Sequence, residues 1–443
     1  MKVIVIGCTH TGTTAVKEIL KENPETKINV YEINDNISFL SCGIALCVGQ
    51  TVEDINNLFY SSPKEMRDNG INMFTRHQVT DIDVDKKTIK ALNLETNEVV
   101  TDSYDKLVVS TGSWPIVPNF PGKDLENIML SKNFKHAQNI INKAPACKRV
   151  AVIGAGYIGV ELAEAFHQLD KEVVVVDLAT EVMGKYFDKE IVDVVENEFT
   201  SNGIELALGQ KVLKFKGENG VVKKVVTDKG EIEADLVILC IGFKPNTDLF
   251  VGKVDILPNG AIVVDEYMRT SNKDIFAGGD AVTLDYLPDG SKSYLPLATN
   301  ALRTGTLIGK NISKLQHKHP GTNATSSIKI FKHNISTTGL TKREALNRGI
   351  NAESITVKDN HLLEFMDGST ETTLTVVYDV DSRRVIGGQY ITEAFLPQTI
   401  NVISVMIHSN TKIDELPYLD FYFLPHFNKP WNIINMVGLN IKR

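Results

Sequence analysis

The sequence predicts an α/β fold: two Rossmann-like units followed by a C-terminal α+β domain. Three observations predict it. A short apolar run, a glycine turn and a helical stretch open the chain, and the same succession returns about one domain later. The final part of the chain instead alternates as strands, with a hairpin signal. The 443 residues are 42% hydrophobic and 23% charged, the profile of a folded globular chain of several domains.

In the first unit, Val3–Ile6 reads as a buried strand, Gly7 to Gly12 as the turn, Thr13–Glu22 as the helix and Lys27–Glu32 as the second strand. Leu107–Ser110 reads as a further strand ending in Thr111, Gly112 and Ser113. The prolines of the next stretch (Pro115, Pro118, Pro121) mark a boundary. The second unit repeats the plan with Val150–Ile153, the turn Gly154–Gly159, the helix Val160–Leu169 and the strand Glu172–Asp177. After the strand Leu236–Ile241, the segment Gly242–Asn246 reads as a second crossover that returns the chain to the first unit. The polar stretch Lys314–Ser327 reads as a linker. Thr372–Tyr378 and Arg384–Ile391 read as a hairpin, Leu396–Ser409 as a helix, and Leu416–Trp431 as a tail dense in aromatics. The predicted domains are 1–115 with 243–325, then 116–242, then 326–443.

The net charge of −8 argues against a nucleic-acid partner. No apolar run approaches the length of a membrane helix. The opening MKVIVIGC is too short and too soon broken by glycine for a signal peptide. Five scattered cysteines are not a secreted disulfide framework, so a cytoplasmic protein is expected. His317 and His319 are too few for a closed metal site, and no metal is expected.

Gly154, Gly156 and Gly159 form a full G-x-G-x-x-G between strand and helix, with Tyr157 and Ile158 inside the turn. Such glycines let backbone N–H groups approach a pyrophosphate. Asp177 ends the next strand, where a carboxylate accepts from both ribose hydroxyls and repels a 2′-phosphate, favouring NAD(H). The other reading is a glycine turn without a ligand. The first motif, Gly7-Cys8-Thr9-His10-Thr11-Gly12, lacks the middle glycine, and Glu32 stands where its ribose acid belongs. Downstream, Gly278, Gly279 and Asp280 follow an apolar strand. Such an Asp binds the ribityl chain of a flavin; its other reading is a helix N-cap.

Together the two dinucleotide motifs, Ser110-Thr111-Gly112, Gly242–Asn246 and Phe276–Asp280 resemble the pyridine nucleotide–disulfide oxidoreductases. The resemblance implies FAD on the first domain, NADH on the second and dimerisation through the third. The segment SFLSCGIAL around Cys42, the opening VIGCTHTGT, LFYSSP at Leu58–Pro63 and LPLATNALR at Leu295–Arg303 narrow it to the single-cysteine branch. That branch holds water-forming NADH oxidases, NADH peroxidases and coenzyme A-disulfide reductases, and the likeness to the water-forming oxidases is greatest. It implies that O₂ and NADH are the substrates, that a Cys42 sulfenic acid forms, and that the chain assembles as a homodimer or dimer of dimers. A redox sensor whose turnover is incidental is the reading from another class.

Cys42 precedes a short apolar segment that reads as a helix stopped near Gly49, and a thiol at a helix N-terminus is expected to have a lowered pKa. The bland alternative is a small core residue. His10 is the matching acid–base candidate, or else an ordinary histidine capping the turn. Cys47 gives C-x4-C, the spacing of the redox disulfide in glutathione-reductase-like enzymes, but the flanking sequence does not match theirs. Cys8, Cys147 and Cys240 read as structural. By resemblance, Tyr157 gates the nicotinamide pocket and Glu161 lies near it, the alternative for Tyr157 being a core ring. Val79 and Lys132 correspond to positions near the flavin, and Tyr186 and Gly242 to positions on the NAD side. Leu297, Ala298 and Thr299 precede a helix whose N-terminus is expected to point at the flavin's electron-rich pyrimidine edge. Phe423 corresponds to a residue offered by the partner subunit, or to interface packing; an aromatic-dense tail suits an interface. Tyr418 and Tyr422 give no convincing match to the tyrosines of the coenzyme A-disulfide reductases.

Overall fold

Two five-stranded parallel sheets carry the first two units of the computed structural model, which describes residues 1–441. In the first, the strands run Ile275–Ala277, Lys106–Val109, Lys2–Ile6, Lys27–Glu32 and Asn72–Thr75 across the sheet. In the second they run Glu205–Ala207, Glu172–Val176, Arg149–Ile153, Leu236–Leu239 and Ile128–Leu130. Strands covered on both faces have no solvent side. That is why Val3, Ile4, Val5, Val150, Ala151 and Val152 form unbroken apolar runs rather than alternating ones.

The chain leaves and re-enters the first unit side by side: Ser113–Pro115 pairs antiparallel with Phe243–Pro245. The third sheet is antiparallel, in the order Ser326–Ile330, His333–Gly339, Val385–Thr392, Glu371–Asp379 and Ala352–Asn360. The helix Thr399–His408 lies on it, so close that a Cβ added at Gly388 would stand 2.8 Å from the Ile403 side chain.

Three readings are corrected. Both motif helices start three residues earlier than expected, at His10 and Tyr157. The last glycine of each motif therefore lies inside its helix, because only a residue without Cβ lets the helix pass the turn carbonyl. A Cβ at Gly12 would sit 2.1 Å from the Gly7 oxygen, and one at Gly159 would sit 1.8 Å from that of Gly154. The stretch Lys314–Ser327 is no loose linker. Thr322 and Asn323 are buried, Thr322 Oγ1 donating to Asn300 Oδ1 at 3.0 Å and Asn323 Nδ2 to the Ser404 carbonyl at 2.7 Å. Its buried polar side chains tie the last domain to the rest, while Lys314, Gln316, His317 and Lys318 face water. The helix read from Leu396 begins at Thr399, behind Pro397, which has no N–H to donate. Among the described residues, no helix is long and apolar enough to cross a membrane, and no three metal-ligating side chains cluster.

Candidate active site

The two glycine turns are built alike. Gly7 and Gly154 have φ of +86° and +114°, a region where a side chain is strained. Each turn is braced by the acid that ends the following strand. Glu32 Oε2 accepts the Cys8 N–H at 2.7 Å, and Asp177 Oδ2 accepts the Ala155 N–H at 2.6 Å. Asp177 also accepts from the Ala179 N–H at 2.8 Å, and Glu32 from the Asn34 N–H at 2.9 Å. Burial pushes the Glu32 carboxyl up, and the N–H groups that bind it oppose the shift.

The first turn opens on a cavity of about 750 Å³, within the range of cofactor sites. Its wall takes Gly7, Thr9, His10, Thr11, Glu32, Cys42, Val79, Ser110, Thr111, Gly112 and Lys132 from the first half of the chain. Tyr157, Ile158, Glu161, Asp280, Leu297 and Ala298 complete it. Asp280 is not a helix N-cap: its Oδ2 accepts from Ser113 Oγ at 2.7 Å and from Lys132 Nζ at 3.3 Å. Lys132 also lies 4.6 Å above the Phe243 ring, on the returning crossover. The helix Ala298–Asn311 points its N-terminus at the cavity, with free N–H groups suited to negative charge. Thr111 Oγ1 is buried with no partner. An unpaired hydroxyl beside a braced glycine turn, a strand-end acid and a lysine–aspartate pair is what a flavin dinucleotide would engage, and these residues fit one.

Cys42 lies in the single turn Ser41–Gly43, just before the helix Ile44–Val48. It opens onto the cavity while Cys47, on the far side of that helix, is buried in the core; both thiols are free. The expected lowering of the Cys42 pKa is not found. The surrounding protein wall, and then the Glu161 carboxyl, push the thiol up, and these outweigh one five-residue helix. Cys8 is buried and pushed up to about 12, which makes it inert, as read from sequence.

His10 is the first residue of its helix and caps nothing. Its Nδ1 lies 2.8 Å from Tyr60 Oη, and burial lowers its pKa. Tyr157 Oη bonds Ser326 Oγ at 2.9 Å, and its ring meets Tyr186 edge-on at 4.6 Å, so it is packed and also faces the cavity.

Other predicted residues stand outside this cavity wall. Gly12 and Gly279 pack behind it, where a Cβ on Gly279 would lie 2.2 Å from Thr11 Oγ1. Thr299 is exposed in the first turn of its helix. Gly154, Gly156 and Gly159 form the second turn, which Asp177 braces and where Tyr186 is the nearest side chain to Gly156, while Gly242 stands beside Ile116 on the crossover. Phe423 is half-exposed in the tail, and the chain does not bring it to its own cavity. Tyr60, Ser113 and Ser326 were not singled out as site residues. Tyr60 stands in the LFYSSP segment and Ser113 directly follows Ser110-Thr111-Gly112, which were the available signals; Ser326 had none.

The pyridine nucleotide-disulphide oxidoreductase family matches residues 1–305, and its dimerisation domain matches residues 325–432. The chain is 48% identical over 439 residues to an NADH oxidase of Enterococcus faecalis, covering 99% of this chain and 98% of that protein. It is 30% identical to a CoA-dependent NAD(P)H sulfur oxidoreductase of Pyrococcus furiosus, covering 100% and 99%. The solved water-forming NADH oxidase of Lactobacillus brevis, bound to NADH, superposes with a TM-score of 0.97 at 46% identity, covering 99% of this chain and 97% of that one. On matches that span nearly its whole length, the chain belongs to the pyridine nucleotide-disulphide oxidoreductase family.

Proposed function

We propose that this protein is an FAD-dependent NADH oxidase that reduces O₂ to water with two NADH. The observation that carries the reading is the placement of an exposed free thiol, Cys42, in the same cavity wall as the glycine turn and His10. The similarity to NADH oxidases of two bacteria supports it. Gly7, Thr9, Thr11 and Glu32 would hold the adenosine half of FAD. Val79, Ser110, Thr111, Gly112, Lys132 and Asp280 would hold the rest, with Leu297, Ala298 and Thr299 at the ring's far edge. Gly154, Gly156, Gly159 and Asp177 would hold NADH, with Tyr186 and Gly242 beside it and Tyr157 over the entrance. FAD, when bound, supplies the electron transfer from NADH to O₂ and to sulfur.

The chain's own part is containment of peroxide. The Cys42 thiolate attacks one peroxide oxygen, the O–O bond breaks, and hydroxide leaves as water once protonated. Cys42 becomes a sulfenic acid, and two electrons from a second NADH return it to the thiolate with release of the second water. His10, whose neutral form burial favours and whose Nδ1 contacts Tyr60, orients a proton at the cavity wall.

The apolar tail surface around Tyr422, Phe423 and Phe427 is exposed, which supports assembly as a homodimer or dimer of dimers with Phe423 at the interface. Use of NADH as the donor supports a cytoplasmic location. The Pyrococcus furiosus relative favours a second reading, in which Cys42 forms a mixed disulfide with a CoA-type thiol. Trapping with a sulfenic-acid reagent during NADH turnover separates the two. A trapped adduct on Cys42 supports the oxidase, and a thiol-linked adduct with no sulfenic acid supports the reductase.

A further inference from the structure

The helix Tyr157–Gln168 packs directly against the segment that carries the thiol. A Cβ on Gly49, which ends the helix after Cys42, would stand 3.3 Å from Ala165 Cα. Glu161, on that helix, shares the cavity wall with Cys42. Among the described residues, the Glu161 side chain makes no hydrogen bond and no ion pair. A half-buried carboxyl with no partner is costly to charge.

The groups around it do not help. On its own helix stand Tyr157 and Glu164. Glu164 is already bound by the Phe331 N–H at 3.0 Å. From the segment that carries the thiol comes Cys42, and from the strand Ser326–Ile330, also packed on this helix, comes Lys329, whose charge acts on Glu164 and not on Glu161. The cavity's ammonium, Lys132, is committed to Asp280 and Ser113. His10 faces Tyr60.

Resting on the oxidase reading above, we propose that Glu161 is the proton-holding partner of Cys42: thiol and carboxyl titrate as a coupled pair, and the Glu161 proton goes to the hydroxide split from a hydroperoxide. The step balances as follows. The Cys42 thiolate forms an S–O bond and is oxidised by two electrons. The peroxide O–O bond breaks and is reduced, hydroxide takes the Glu161 proton and leaves as water, and Glu161 is left as carboxylate. The energetics agree in direction. Burial and then Glu164 push Glu161 up to about 7, and the Glu161 charge pushes the Cys42 thiol up. An ionised Glu161 opposes the thiolate and a neutral one does not, so the two titrations are coupled.

The test is the pH profile of Cys42 alkylation by iodoacetamide in the reduced holoenzyme, read by mass spectrometry. Wild type should show a lag in thiolate formation as Glu161 ionises. Glu161→Gln should give a single step, with alkylation on the order of tenfold faster on the alkaline limb and unchanged on the acid limb. Glu161→Asp, which keeps a titrating carboxyl, should restore the lag. Superposable profiles for wild type and Glu161→Gln would overturn the proposal. If Glu161→Gln does not hold its flavin, the reciprocal measurement decides. Carboxyl NMR of wild type should show the Glu161 resonance shifting a second time as Cys42 ionises, a step absent in Cys42→Ser, and no second step would overturn the coupling. Sulfenic-acid trapping with added H₂O₂ keeps the two readings apart. No adduct on wild-type Cys42 defeats the oxidase cycle, whereas an adduct with superposable alkylation profiles defeats only the Glu161 assignment.

Discussion

Tyr60 Oη lies 2.8 Å from His10 Nδ1, and the two rings stack with their planes 5° apart. Burial pushes the Tyr60 phenol up, so it keeps its proton across the working range. Burial also pushes His10 down, so the imidazole is neutral. With the phenol donating to Nδ1, the ring's own proton stands on Nε2, where it can donate a hydrogen bond into the cavity.

Replacing Tyr60 by Phe keeps the stack and removes that choice. Peroxide turnover at Cys42 should fall about tenfold, the worth of one hydrogen bond of about 1.4 kcal/mol. Reduction of the flavin by NADH, followed by stopped flow, should change little. Unchanged peroxide turnover would assign Tyr60 to packing alone.

The two βαβ units, their acids and the thiol were legible because each signal is local: a glycine turn, the strand before it and an acid about 20 residues on. Glu32 and Asp177 both stand where that spacing puts them, each braced to its turn. What was not legible is set by contacts between distant segments. Tyr60 meets His10 across 50 residues, and Tyr157 meets Ser326 across 169. The direction of the Cys42 shift failed for the same reason. The helix N-terminus is visible in the sequence, but the wall that desolvates the thiol and the Glu161 carboxyl belong to other segments.

Gly7→Ala should cost several kcal/mol of stability or abolish flavin retention. Its φ is +86°, and the new Cβ would stand 2.5 Å from the Ser110 carbonyl oxygen, which belongs to a rigid strand end. Flavin absorbance per protein after gel filtration is the measurement. Full flavin content would show that the turn can shift.

Asp177→Ala should raise KM for NADH by about tenfold or more while kcat changes little, since it removes charged acceptors used equally in ground and transition states. Discrimination against NADPH should fall in parallel. An unchanged KM would place the ribose elsewhere.

His319 is buried, with Nδ1 accepting the Gly321 N–H at 3.0 Å. Burial, then the nearby Arg303, push it down from 6.5 to about 4. Because the folded pKa lies below the unfolded one, acid protonates the unfolded chain first. Stability is unaffected above about pH 6.5 and lost between there and about pH 4, by no more than about 3 kcal/mol. His319→Asn should flatten that acid limb in urea midpoints measured against pH. An unaltered limb would assign the acid sensitivity to other groups.

The most direct measurement is NADH consumed per O₂ in a sealed cell, with H₂O₂ read at the same time, for wild type and Cys42→Ser. Wild type should consume two NADH per O₂ and release no peroxide. Cys42→Ser should approach one NADH per O₂ and release H₂O₂. A Cys42→Ser enzyme that still consumes O₂ but releases no peroxide would contradict the interception of peroxide by Cys42.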